Sequence, residues 1–214
     1  MFLNPFQIKK TWTSSYNWEE RHHEILKLNK TEPTKIIFIG NSITHNWGGK
    51  PLNNRIKGAD SWQKYLEPLQ VRNFGFGWDR VENVLWRIYH DELDGISPEK
   101  IIINIGTNNL HLNTDVEIVA GLQLLVKAVQ VRQPQAKITL LGIYPRRNNE
   151  ERVISLNKGI QSLAKAEKIG FEDIGKTLLL KTGKINEQLF SDGLHPNAEG
   201  YEVLGKVITP ILKK

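Results

Sequence analysis

Residues 35–44, with the sequence KIIFIGNSIT, decide how the rest of the chain is interpreted. The run Lys35–Gly40 (KIIFIG) is mostly β-branched or aromatic and ends at a glycine, which is typical of a short buried strand. Asn41 and Ser42 follow directly, and both residue types are common where a helix begins. The stretch therefore predicts a strand that leads through a tight turn into a helix.

The same pattern recurs along the chain. Three further apolar runs predict buried strands, Val71–Phe74 (VRNF), Lys100–Ile105 (KIIINI) and Lys137–Ile143 (KITLLGI), and a weaker fifth strand is Gly170–Ile174. Helical spacing of apolar residues occurs in Trp18–Leu28, Ser61–Leu69, Arg80–Tyr89, Asp115–Arg132, Glu150–Lys168 and Ala198–Leu212. Alternating strands and helices predict an α/β fold with a doubly wound, five-stranded parallel sheet between two layers of helices.

The composition suits one compact domain. The chain has 214 residues, of which 39% are hydrophobic and 24% charged, so we expect a single domain over residues 1–214, with residues 1–17 as an N-terminal extension. No apolar run approaches the roughly 20 residues of a membrane-spanning helix, so stable membrane insertion is not expected. The N-terminus also lacks the pattern of a secretory signal. As written, the sequence predicts a cytoplasmic protein, and export stays open for a chain whose signal was removed.

Charge and composition argue against several classes of partner. The net charge is +6, but the 29 basic residues are scattered among 23 acidic ones, and the densest pair, Arg146 and Arg147, follows a predicted strand. We therefore expect no nucleic-acid partner. The chain has no cysteine, and His22 and His23 lack the spacing of a metal motif, so neither a metal nor a cofactor is expected.

Polar and glycine-rich segments follow four of the predicted strands. In a parallel sheet, ligands bind beyond the carboxyl ends of the strands, where loops and free backbone N–H groups converge. We therefore expect four segments to open onto one edge of the sheet: 40–44 (GNSIT), 75–79 (GFGWD), 106–109 (GTNN) and 144–147 (YPRR).

Three side chains suit nucleophilic catalysis, one in the first of these segments and two just before the C-terminal predicted helix. Ser42 is placed to present a hydroxyl beside free N–H groups, and the alternative is that it only caps the following helix. Asp192 lies three residues before His195, close enough on a tight turn for the carboxylate to orient the imidazole. Here the alternative is a turn aspartate and a surface histidine before a helix.

Three further residues are candidates for stabilising a negatively charged oxygen. The side-chain amide of Asn108 is one such donor, a kind of contact worth roughly 3 kcal/mol in a transition state, and its alternative is a simple turn residue. Gly75 and Gly77 allow close backbone approach, so N–H groups there are further donors, unless these glycines only shape a loop.

Taken together, four blocks resemble the SGNH/GDSL hydrolase family in their order along the chain. The blocks are 40–44 (GNSIT), 73–79 (NFGFGWD), 106–109 (GTNN) and 192–196 (DGLHP). The stretches 83–87 (NVLWR), 142–146 (GIYPR) and 200–202 (GYE) are similar to the branch related to platelet-activating-factor acetylhydrolase catalytic subunits. This resemblance spans roughly residue 18 to the C-terminus and implies the flavodoxin-like fold of these hydrolases.

The resemblance assigns a role to each candidate. It implies Ser42 as nucleophile, His195 as base and Asp192 as the residue that orients it. It implies an oxyanion hole formed by the Ser42 N–H, the Asn108 side chain and an N–H of the second block. Trp78 stands where the family usually has a glycine, which leaves that last donor between Gly77 and Trp78.

A second departure is Asn41, which stands where the family usually has an aspartate before the serine. Asparagine keeps the hydrogen-bonding shape and removes a charge, so we expect activity to survive. Trp47, Trp78 and Tyr144 are candidates for the wall of an acyl pocket or for stacking on a sugar, with core packing as the alternative.

The expected function is therefore hydrolysis of short-chain, in particular acetyl, esters, including esters of carbohydrates, through an acyl-enzyme on Ser42. The alternatives are a thioesterase or lysophospholipase with the same triad, and a catalytically silent carbohydrate- or lipid-binding module. The expected partner is a small acyl ester. A homodimer is plausible from the resemblance, and no segment of the sequence identifies its interface.

Overall fold

A five-stranded parallel sheet forms the centre of this computed structural model, which describes residues 16–214. Its strands are β1 (Ile36–Gly40), β2 (Val71–Gly75), β3 (Lys100–Asn104), β4 (Lys137–Leu141) and β5 (Gly170–Glu172). They lie side by side in the order β2-β1-β3-β4-β5, and every adjacent pair is parallel. This order confirms the predicted doubly wound sheet of the flavodoxin-like type.

Seven α-helices of the described residues connect and cover the strands. They are α1 (Trp18–Thr31), α2 (Ser42–His45), α3 (Ala59–Tyr65), α4 (Val81–Tyr89), α5 (Asp115–Arg132), α6 (Glu150–Ala166) and α7 (Ala198–Lys213). Short 3-10 turns occur at residues 67–69, 107–109, 174–178 and 187–189. Within residues 16–214, no helix combines the length and the apolar character that a membrane crossing requires.

The sheet separates two hydrophobic cores because successive strand residues point to opposite faces. In β1, Ile37 and Ile39 belong to the core that α1, α4, α5 and α6 cover. Ile36 and Phe38 belong to the core that α2, α3 and α7 cover. All five residues of β1 are buried, which explains why the strand is apolar throughout and does not alternate with polar residues.

The structure divides one predicted helix in two. The sequence predicts a single helix over Ser61–Leu69, whereas α3 ends at Tyr65 and a 3-10 turn occupies residues 67–69. Pro68 lies in this turn, and a proline disfavours helical geometry at the residue before it. Of the predicted N-terminal extension, residues 1–15 lie outside the described part of the chain.

Two glycines let α2 lie directly against the end of the sheet. Gly40 and Gly75 are register partners in adjacent strands. A Cβ atom on Gly40 would be 2.0 Å from Thr44 Oγ1, and a Cβ atom on Gly75 would be 2.3 Å from the backbone nitrogen of His45. Neither position can hold a side chain while α2 stays where it is.

Asn73 fixes the same contact from within β2. Its side-chain amide nitrogen donates to the carbonyl oxygens of Thr44 at 2.7 Å and Gly48 at 2.6 Å. Its oxygen accepts from the Gly75 N–H at 2.8 Å. Because these groups are buried, each hydrogen bond would be costly to lose, and together they join α2 to the strand beneath it.

We predict that Gly75→Ala destabilises the fold and impairs the site on α2, because the added methyl group must push the backbone of α2 away. Overpacking of this kind costs about 1–3 kcal/mol, and chemical denaturation measures the loss. Gly159→Ala, in α6, is the matched control, since its Cβ would meet only the Val119 methyl group at 3.2 Å. Equal stabilities of the two variants would contradict the prediction.

Candidate active site

The first turn of α2 leaves the hydroxyl group of Ser42 free of any capping role. Asn41 is the N-cap residue of α2, and its side-chain oxygen accepts the Ile43 N–H at 2.8 Å. The cap that the sequence left open between Asn41 and Ser42 is therefore made by Asn41. Its amide oxygen makes this bond without a negative charge, so the asparagine preserves the turn.

Three side chains form a continuous hydrogen-bonded chain at the end of β1. Ser42 Oγ lies 2.8 Å from His195 Nε2, and His195 Nδ1 lies 2.7 Å from Asp192 Oδ2. The structure thus brings the hydroxyl of Ser42 to an imidazole and a carboxylate that lie 150 residues or more further along the chain. With the Nδ1 proton held by the carboxylate, Nε2 is the acceptor that faces the hydroxyl.

A tight turn holds Asp192 against His195. Asp192 Oδ1 accepts the backbone N–H groups of Leu194 at 3.0 Å and His195 at 2.8 Å. Gly193 has φ +78°, a left-handed conformation that glycine adopts without strain. Partial burial raises the pKa of Asp192, but the hydrogen bonds and the charge of His195 outweigh it and lower the pKa to about 2. The carboxylate is therefore ionised at neutral pH.

Arg147 supports this turn from outside. Its backbone N–H donates to the Gly193 carbonyl at 2.8 Å, and its guanidinium pairs with both carboxylate oxygens of Glu187 at 2.7 Å. The guanidinium also packs over Gly193, where a Cβ atom would be 2.7 Å from Arg147 Cζ. The sequence marked Arg147 only as part of a basic pair, because its contact with a turn 45 residues away has no local signal.

Asn108 lies in the 3-10 turn that follows β3. Its amide nitrogen donates to the Asp79 carbonyl at 2.9 Å, and the residue is half-buried in the wall of the same cavity as Ser42 and His195. An amide nitrogen carries two hydrogens, so one N–H remains for a ligand while the other fixes the orientation of the group.

Gly77 and Trp78 differ in how their backbone N–H groups are used. The Gly77 N–H donates to His45 Nδ1 at 3.2 Å. The Trp78 N–H has no hydrogen-bond partner among residues 16–214. Trp78 has φ +66°, and its side chain turns outward with 61% exposure at the rim of the cavity.

His45 is a cavity residue that the sequence interpretation missed. Burial, followed by the charges of Arg21, Arg87 and Arg55, lowers the pKa of His45 to about 2, so its imidazole is neutral. A neutral ring accepts at Nδ1 and carries its proton on Nε2. The sequence did contain a signal for His45, because a residue three positions after Ser42 lies on the same face of a helix as Ser42.

A buried ion pair anchors the loop that carries Gly77 and Trp78. Arg87 Nε lies 3.0 Å from Asp79 Oδ2, with both side chains fully buried, and Trp18 Nε1 donates to Asp79 Oδ1 at 2.7 Å. Arg87 also pairs with the buried Glu92. The side chain of Asp79 is therefore fixed by the buried ion pair, and the backbone carbonyl of the same residue orients Asn108.

The cavity beside Ser42 has a volume of about 420 Å³. Of the three aromatic residues considered for its wall, only Trp78 lines it. Trp47 and Tyr144 are 0% and 1% exposed and pack in the core, which is the alternative that the sequence left open for them. Both residues come shortly after a strand in the sequence, but their rings point into the core that also contains Tyr201. The cavity is lined by Tyr16, Ser42, His45, Asn46, Asn53, Arg55, Ile56, Lys57, Gly77, Trp78, Asn108, Asp192, Leu194 and His195.

A hydroxyl hydrogen-bonded to an imidazole, itself oriented by a carboxylate and flanked by N–H donors, defines the class of serine hydrolases. Residues 38–203 match the model of the GDSL-like lipase/acylhydrolase family, so the chain belongs to this family. It is a carboxylic ester hydrolase.

The curated relatives are platelet-activating factor acetylhydrolase subunits. The chain is 28% identical over 200 residues to the IB subunit alpha1 of Bos taurus, which covers 91% of this chain and 82% of that protein. It is 29% identical over 200 residues to the IB subunit alpha2 of Rattus norvegicus, which covers 91% of this chain and 83% of that one.

Solved structures of GDSL-like hydrolases share the fold. A GDSL-like lipase from Bacteroides thetaiotaomicron VPI-5482 superposes with a TM-score of 0.73 at 21% identity, covering 92% of this chain and 97% of that one. A lipase/acylhydrolase from Enterococcus faecalis has a TM-score of 0.64 at 23% identity, with coverage of 84% and 95%. At these identities the likeness concerns the fold alone.

The low pKa of Asp192 predicts a specific dependence of stability on pH. Because the pKa is lower in the folded chain than in the unfolded one, the carboxylate stabilises the fold above about pH 4. This contribution falls as the pH approaches 2. We expect the difference in unfolding free energy between the wild type and Asp192→Asn to shrink over this interval, as measured by urea denaturation.

The same comparison, with and without Asp192→Asn, is then made in a protein that also carries His195→Ala. Without the imidazole, the carboxylate loses a hydrogen bond, so the pH at which the Asp192→Asn difference declines should move up toward the ordinary carboxyl range. A difference that grows as the pH falls below 4 would contradict the low pKa.

Proposed function

We propose that the protein is a serine esterase that hydrolyses short-chain acyl esters, in particular acetyl esters, through an acyl-enzyme on Ser42. The observation that carries this proposal is the hydrogen-bonded chain from Ser42 through His195 to Asp192, at distances of 2.8 and 2.7 Å. Family membership supplies the reaction type, and the surroundings of Ser42 supply the argument for acyl size.

The catalytic cycle follows from the positions of the three side chains. Ser42 Oγ attacks the ester carbonyl while its proton passes to His195 Nε2, and the developing imidazolium is stabilised by Asp192. His195 then gives this proton to the oxygen of the leaving alcohol as the ester C–O bond breaks. A water molecule attacks the acyl-enzyme with the same proton transfers, which releases the acid and restores Ser42.

We propose three donors for the oxyanion of this reaction. We assign them to the N–H of Ser42, the N–H of Trp78 and the second amide hydrogen of Asn108. Trp78 is preferred to Gly77, because the Gly77 N–H is already bound to His45 Nδ1 at 3.2 Å. The side chain of Trp78 is exposed at the rim of the cavity, so its bulk does not fill the site and a bulky residue is compatible with this role.

Short acyl groups suit the cavity better than long ones. Its wall near α2 is polar, with His45, Asn46 and Asn53 in it, and a long acyl chain would have to desolvate these groups. The curated relatives are named acetylhydrolases, which favours acetyl among the short acyl groups. The exposed indole of Trp78 offers a face on which a sugar ring can stack, so acetylated carbohydrates are a substrate class to test.

The first test is the hydrolysis of p-nitrophenyl acetate, butyrate and octanoate by the wild type and by Ser42→Ala. We expect kcat/KM to be highest for acetate and to fall by several orders of magnitude in Ser42→Ala, since the nucleophile is lost. Circular dichroism of each preparation checks that the variant is folded.

Other outcomes of this test point to the alternative functions. A preference for octanoate, or for thioesters added to the panel, would overturn the short-acyl proposal in favour of a lysophospholipase or a thioesterase. Equal and negligible rates for folded wild type and Ser42→Ala would indicate a binding module without catalysis.

A second prediction concerns the oxyanion hole. Asn108→Ala removes one donor and is expected to lower kcat by about 10²–10³-fold with little change in KM, because the contact strengthens as charge develops on the oxygen. Steady-state kinetics with p-nitrophenyl acetate measures both constants.

Thr114→Ala is the matched control for Asn108→Ala. Thr114 also binds backbone through its side chain, accepting the Glu117 N–H at 3.3 Å as the cap of α5, but it does not line the cavity. It should lose about 1 kcal/mol of stability and retain kcat. A fall in kcat for Thr114→Ala as large as that for Asn108→Ala would show that the assay reports folding and not the oxyanion hole.

A further inference from the structure

Two cationic residues line the cavity that contains Ser42. Arg55 is exposed and Lys57 is half-buried, and both belong to the loop that connects α2 to α3. Among residues 16–214, neither side chain forms a salt bridge or a hydrogen bond. Among the arginines of residues 16–214, Arg55 is unusual in this respect, because the others have side-chain partners, as Arg147 has in Glu187.

Backbone and amide hydrogen bonds fix this loop without using the two cations. The Lys57 N–H donates to the Asn46 carbonyl at 2.8 Å, and the Arg55 N–H donates to Asn53 Oδ1 at 3.0 Å. The amide nitrogen of Asn53 donates to Asn46 Oδ1 at 2.9 Å. The main chain is therefore held against the end of α2, while both charged groups remain available to a ligand.

The charges that line the cavity do not balance. His45 is neutral, and burial raises the pKa of Tyr16 above its usual value, so its phenol is neutral as well. Asp192 is the anionic residue among those that line the cavity, and its two carboxylate oxygens are bound to His195 and to backbone N–H groups. The charge of Arg55 also helps to lower the pKa of His45, another residue that lines the same cavity.

We propose that the ester cleaved at Ser42 carries an anionic group, a carboxylate, phosphate or sulfate, which Arg55 and Lys57 bind in the same cavity. This inference rests on the proposed esterase function and specifies its substrate class. A guanidinium binds two oxygens of such a group side by side, and the ammonium of a lysine adds a point charge. Both cations would then select substrates, whereas the bond-breaking steps stay with Ser42, His195 and Asp192.

Matched ester pairs test the preference and locate the anion. 4-Acetoxybenzoate against 4-acetoxybenzamide places the charge on the alcohol half. Mono-(4-nitrophenyl) succinate against 4-nitrophenyl pentanoate places it on the acyl half. The measured quantity is the ratio of kcat/KM for the anionic and the neutral member, with the rate of Ser42→Ala subtracted as background.

We expect the wild type to favour the anionic member of at least one pair, and Arg55→Gln/Lys57→Gln to lower that ratio about tenfold through KM, as two partly exposed charge contacts allow. The ratio in the wild type should also fall as salt is added. The control is Lys158→Gln/Lys165→Gln on α6, which removes the same net charge from exposed positions outside the cavity. An unchanged ratio in the first variant, or an equal fall in both, overturns the inference.

Binding to the Ser42→Ala protein separates this inference from the esterase function. Calorimetry measures the affinities for 4-acetoxybenzoate, for mono-(4-nitrophenyl) succinate and for their neutral counterparts without turnover. A preference for an anion that disappears when Arg55 and Lys57 are also replaced supports the inference, even if no ester is hydrolysed by the wild type. Equal affinities within both pairs reject it, even if neutral esters are turned over.

Discussion

The position of Ser42 depends on how closely α2 lies against the end of the sheet. Gly40 and Gly75 stand side by side in adjacent strands, and a Cβ atom on either would overlap α2. Asn73 then binds the Thr44 carbonyl from below at 2.7 Å. Contact between backbone and backbone leaves little freedom for adjustment, which is what a nucleophile needs if its hydroxyl is to stay within reach of a base.

A buried ion pair restricts the loop that follows β2 in a similar way. A buried ion pair contributes little to net stability. Removing one partner nevertheless costs about 3–5 kcal/mol, because the other charge is left buried and unpaired. Arg87 and Asp79 are fully buried, so Asp79 has little freedom to move. Its carbonyl holds Asn108, and its neighbour Trp78 has an N–H that is unbound among residues 16–214 and that we propose as an oxyanion donor. We interpret the ion pair as a support for the geometry of the proposed oxyanion hole.

The reacting groups and the cationic groups of the cavity are held by different kinds of contact. Asp192 and His195 orient each other within a single turn, so their geometry needs little help from the rest of the fold beyond the contact with Arg147. Among residues 16–214, the hydrogen bonds of Arg55 and Lys57 involve only their main chain, which leaves two long side chains free to adapt to the ligand that we propose. This arrangement combines rigid reacting groups with adaptable binding groups in one cavity.

The sequence by itself determined the parallel α/β sheet and the candidates Ser42, Asp192 and His195, because strand patterns and turn motifs are local. Local spacing could not show that the Gly77 N–H is bound to the ring of His45 from another segment, which is the observation on which our proposal of Trp78 as the donor rests. The inward-facing rings of Trp47 and Tyr144, and the unpaired cations beside Ser42, likewise depend on packing between segments far apart in the chain. Only the tertiary structure decided these features, since the direction of a side chain is set by which neighbours bury it or leave it exposed.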